Sequence, residues 1–119
     1  GDESYAQARV ALAAAYRTLG KTNDSIATLP KYLGTQPAIP ARLKAVVWCE
    51  LGAAYVAGRQ RDKAMGCLET GIEENRFEPK CHAEMCKVAT GAEAKDSCQA
   101  YLTLAPRGDF ADEAQKRVR

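Results

Sequence analysis

Aromatic residues make up only 7% of this 119-residue chain, which has one tryptophan and one histidine. So small an aromatic supply, with few β-branched runs, is a poor basis for a pleated sheet and leaves helices as the elements this Ala-rich sequence builds. No apolar run approaches the ~18 residues needed to span a bilayer. No signal-peptide pattern opens the chain, and a start at Gly1-Asp2 reads as a trimmed one, so the compartment is left open. Basic tracts are missing too. Residues 1–60 carry seven Lys/Arg against four Asp/Glu, residues 61–119 carry ten against eleven, and the formal net charge is +2. That balance lacks the electrostatic footprint of nucleic-acid binding. There is no glycine loop to cradle a phosphate. The length suits one small domain with a single continuous core.

What is present centres on Trp48 to Ala64, WCELGAAYVAGRQRDKA. Trp48, Leu51, Gly52 and Tyr55 recur at i, i+3, i+4, i+7, so they share one helical face. Gly58 breaks the pattern and Arg59 to Arg61 cannot be core. Asp62 suits the start of a new helix, where a negative charge is favourable. A glycine within the apolar stripe costs roughly 1 kcal/mol of helix propensity, which points to a second backbone close by, with Ala64 as its small partner.

A Trp, a Leu-Gly pair, a Tyr and a later Ala in this order resemble the tetratricopeptide repeat, a helical hairpin that stacks into arrays. The resemblance extends to other parts of the chain. Leu12-Ala13 and Tyr16 repeat the spacing of Leu51-Gly52 and Tyr55, with Arg9 in the tryptophan place. Tyr16 and Tyr55 lie 39 positions apart against a usual period of ~34, so the intervening segment holds an insertion of about five residues. Pro37 and Pro106 match the closing proline of a unit. In the third unit Met85 takes the tyrosine place and no Leu-Gly pair is present. YLTLAPRGDFADEA, residues 101–114, also resembles the endings of many bacterial envelope-associated repeat proteins.

The expected fold is therefore all-α, a short bacterial-type α-solenoid of hairpins at about 4–36, 40–76 and 78–105 with a capping helix at about 109–118, all in one domain. Gly20 ends the first helix. Thr22, Asn23 or Asp24 caps the second, which turns Ile26, Leu29 and Leu33 inward and is bent or shortened at Pro30. GTQPAIPA, residues 34–41, is the linker, with Pro40 as the first residue of the next helix. The resemblance implies a non-enzymatic scaffold without cofactor. It would bind a protein or peptide segment, or a subunit of a multiprotein envelope complex, on the concave face. Carried over residue by residue, that face comprises Gln7, Val10, Ala14, Arg17 and Thr18 from the first unit and Val46, Cys49, Ala53, Val56 and Ala57 from the second. The face is largely apolar and lacks the Lys and Asn pairs that clamp a chaperone's C-terminal carboxylate.

A second class of function centres on Cys81, His82, Cys86 and Cys98. His82 and Cys86 are i, i+4 on one helical face, where two metal ligands could sit, and Cys98 on the facing helix would be a third. No CxxC pair accompanies them. A thiolate nucleophile there would also need an oriented histidine and an oxyanion site. Glu73, Glu74 and Glu78 surround a helix end and read as a solvated, mildly acidic surface. The five cysteines divide by compartment. A reducing cytosol keeps all five as thiols. An oxidising one, such as a bacterial periplasm or envelope, favours Cys86–Cys98 across the Thr90-Gly91 turn, then Cys67–Cys81, with Cys49 free.

Overall fold

Helix-favouring alanines dominate residues 2–18, and with no proline or internal glycine to interrupt them they form one 17-residue helix, α1 (Asp2–Thr18). Its end is set by Gly20, whose φ of +78° is open to glycine at little cost. The Gly20 and Lys21 amides donate back to the Arg17 and Tyr16 carbonyls at 3.0 and 2.8 Å, the hydrogen-bond pair of a Schellman ending. The computed structural model describes residues 2–29 and 39–119, and the helices after α1 are α2 (Thr22–Thr28), α3 (Ala41–Ala57), α4 (Arg61–Glu74), α5 (Pro79–Val88), α6 (Gly91–Leu104) and α7 (Ala111–Val118). The described residues are all-helical or connecting turns. None of these helices is long and apolar enough to cross a membrane.

The expected shortening at Pro30 appears as a seven-residue α2 that stops at Thr28. Leu33, the 34–38 part of the linker and Pro37 lie outside the described residues. Pro40 precedes α3 instead of opening it: its backbone is extended and its carbonyl accepts from the Leu43 and Lys44 amides. α6 starts at Gly91, three residues earlier than the periodicity from Ala94 implied. Gly58 is not the left-handed residue of the α3–α4 turn. That role falls to Arg59, with φ of +60°, while a Cβ on Gly58 would lie 3.0 Å from the Thr22 methyl.

Packing runs along the chain. α1 pairs with α2, α3 with α4 and α5 with α6, and α3 also lies against α1, α2 and α5. The core is accordingly three clusters in succession. The first gathers Ala6, Ala13, Leu29, Leu43, Val47, Leu51 and Cys67. A second holds Ala45, Cys49, Leu68, Cys81 and Met85. The third, around Ala83, Cys86, Cys98 and Tyr101, is closed by Ala111 and Ala114 of α7. The overall extents are 42 × 27 × 24 Å.

Each hairpin crosses at residues 12 apart, and each crossing is made by different chemistry. In the first, Ser25 Oγ donates to the Ala13 carbonyl at 2.7 Å, with both residues fully buried. In the second, Gly52 meets α4: a Cβ there would stand 3.5 Å from the Ala64 carbonyl and only 2.6 Å from Leu68 Cδ2. Ala64 is thus the expected neighbour, but Leu68, fully buried, enforces the glycine. In the third, Cys86 and Cys98 are joined as a disulfide with Cα atoms 4.8 Å apart.

Candidate functional site

Three of the helices, α1, α3 and α5, converge on one carboxylate. Glu50 is fully buried near the middle of α3 and accepts from Arg17 Nε of α1 at 2.9 Å and from Lys80 Nζ of α5 at 2.6 Å. Burying an unpaired carboxylate is prohibitive, so the two cations make its position tenable. Each keeps 28% of its side chain exposed, so its charge still reaches water. Burial opposes the charge on Arg17, but the hydrogen bond and attraction of Glu50, with a smaller pull from Glu84, outweigh it and hold its pKa above the ordinary arginine value. Glu84 is itself largely buried and paired with Lys87 at 2.8 Å. Sequence reasoning missed Glu50, whose partners stand 33 and 30 residues away.

Sulfur occupies the layer beside this network. Cys49 of α3 is bonded to Cys81 of α5 across 5.1 Å between Cα atoms, and Cys67 is the free cysteine. This corrects the expectation of Cys67–Cys81 with Cys49 free. The room comes from Gly71 of α4: a Cβ there would overlap Cys49 Sγ and stand 3.2 Å from Cys81 Sγ. Cys67 lies one turn earlier, in the first cluster, where burial pushes its thiol pKa up.

The cluster Cys81, His82, Cys86 and Cys98 does not assemble as a thiol site. Its three sulfurs are used in two separate disulfides. His82 Nε2 lies 2.7 Å from the Arg76 carbonyl, which can only accept, so that nitrogen carries the proton. No group of three or more His, Cys, Asp or Glu among the described residues is placed to hold a metal.

Of the residues assigned to the concave face, Gln7, Thr18 and Ala57 are exposed, and Val10, Ala14, Arg17, Val46 and Val56 are half-buried. Cys49 and Ala53 belong to the interior, at 0% and 2% exposure. Removing them leaves a narrower surface on α1 and α3, with the Arg17–Glu50 pair joining the two helices.

Two open troughs lie elsewhere. One, of about 500 Å³, is lined by Trp48, Leu51, Tyr55, Lys63, Gly66, Cys67 and Thr70. Trp48 and Tyr55 are therefore half-buried rather than core, packed on the first cluster from its rim. The other, of about 450 Å³, runs between α4 and α6 over α5. Comparison with family models, curated proteins and solved structures gives no match to this chain.

Proposed function

We propose that this chain is a non-enzymatic scaffold of tetratricopeptide type, holding a segment of a partner protein against the surface of α1 and α3. The observation that carries the reading is the repetition of one crossing at 13/25, 52/64 and 86/98. Its offsets are 39 and then 34 positions, and the first helices of successive units, α1, α3 and α5, lie side by side. Stacked hairpins of this sort bury each other's apolar faces and leave an extended surface for binding. The recognition residues are then Gln7, Val10, Ala14, Arg17, Val46 and Val56, and the mixed apolar and polar character suits an amphipathic helix or extended segment. The bacterial envelope setting of the sequence resemblance is part of this proposal, supported by the two disulfides, which persist in oxidising compartments.

A photo-crosslinker placed at Val56 in the source cell tests it. A saturable adduct to one protein, lost in Val46→Glu while helicity is unchanged, is the expected result. The same adducts from a crosslinker at Arg107, or none at all, would overturn it.

A further inference from the structure

The trough between α4 and α6 has a floor and two walls of different character. Ile72 of α4 and Met85 of α5 supply an apolar floor, continued by Ala100 of α6. Glu69 and Glu73 stand on one wall and Glu93 and Asp96 on the other, all four exposed. None of the four makes an ion pair with a described residue. Like charges one turn apart on a helix, as Glu69 and Glu73 are, destabilise it by a few tenths of a kcal/mol. In a chain whose net charge is +2, four unpaired carboxylates facing each other across an apolar strip are a local reversal of sign. The other trough, beside Trp48 and Tyr55, has Lys63 at its rim and no carboxylate.

We infer that this trough docks a basic protein segment, one that seats an apolar side chain on Ile72 and Met85 and sets Lys or Arg against both acidic walls. Charge complementarity selects the class: an acidic or phosphorylated segment would be repelled from both sides, and a purely apolar one would leave four carboxylates desolvated without partners. The surface is distinct from the α1–α3 face, and Val46→Glu, which tests that face, leaves this trough intact.

The probe is a fluorescein-labelled 12-residue peptide carrying two leucines flanked by lysines, followed by anisotropy with the full disulfide-bonded chain. Binding that weakens with salt, with shifts of the Ile72 and Met85 methyl signals, is expected. Neutralising the walls as Glu69→Gln/Glu73→Gln/Glu93→Gln/Asp96→Asn should weaken binding about fourfold or more, the least that four exposed rim pairs imply. The control Asp109→Asn/Asp112→Asn/Glu113→Gln should leave it unchanged. A peptide with the leucines replaced by serine should bind more weakly than the parent. Equal affinity of the neutralised chain, equal affinity of the serine peptide, methyl shifts elsewhere, or occupation of the trough by a second copy, seen as a salt-sensitive dimer in sedimentation, would each overturn the inference.

Discussion

A single buried carboxylate ties three helices, and its energetics are asymmetric. Replacing Glu50 by Met leaves Arg17 and Lys80 able to turn their exposed portions into water, whereas replacing both cations strands a fully buried charge. Stranding a buried ion costs about 3–5 kcal/mol. Arg17→Met/Lys80→Met should therefore lower the denaturation midpoint more than Glu50→Met does, and the opposite order would disprove the account. Cys67 gives a second residue-scale expectation. Burial raises its native pKa above the ordinary value of 9.0, so above that pH the unfolded chain loses a proton that the folded chain keeps. This group's contribution is whole below pH 9.0 and declines as pH rises towards the native pKa. Alkylation should find one thiol per chain, with a rate–pH midpoint higher in the native protein than in urea. Two or more thiols in native material would contradict the pairing. Neither Glu50 nor the fate of Cys67 was legible in the sequence, because each depends on partners from other hairpins. A carboxylate two places after Trp48 looks like any solvated charge until its cations arrive.

Local order was legible at the level of helices and turns. Helix periodicity, Gly20, the break near Gly58 and Pro79 all lie within a few residues of the feature each determines. For the same reason Cys86–Cys98, set in one hairpin around a short turn, could be anticipated. Cys49–Cys81 could not: it joins α3 to α5 and depends on the angle between hairpins, with Gly71 of the intervening α4 as the one local trace of it. The first two hairpins end their leading helices alike. The Lys21 and Gln60 amides return to the Tyr16 and Tyr55 carbonyls at 2.8 and 2.9 Å. In the second, however, the left-handed place is taken by Arg59. A side chain there costs about 1–2 kcal/mol, more than the 0.5–1 kcal/mol of extra chain entropy that glycine brings. Arg59→Gly should thus stabilise the protein by roughly 0.5 kcal/mol, read as a higher melting temperature. A lower one would mean that the arginine side chain contributes more than its backbone strain.

Along the whole molecule, covalent and non-covalent cohesion are unevenly spread. The Cys49–Cys81 and Cys86–Cys98 bonds link α3, α5 and α6 into one connected unit, and α4 is held between α3 and α5 with Gly71 against the first disulfide. By the chain-entropy estimate, loops of these lengths contribute about 3–4 kcal/mol each. The first hairpin has no such tie. It is attached through the apolar cluster around Leu29, Leu43 and Leu51, and by the Arg17–Glu50 and Arg42–Glu3 pairs, the second of which is exposed and worth little. Helices held together this unevenly open from the weakest segment inward rather than all at once. Native-state hydrogen exchange should show the amides of α1 and α2 opening at a lower free energy than those of α3, α4 and α5, with α6 protected beyond what its place near the other end would give. Reduction of both disulfides should bring α5 and α6 down towards the level of α1 while leaving α1 nearly unchanged, since no cross-link touches it. Uniform protection from α1 to α6 in the oxidised protein would show instead that the first interface is as strong as the covalent ones, and would make the three hairpins a single cooperative unit.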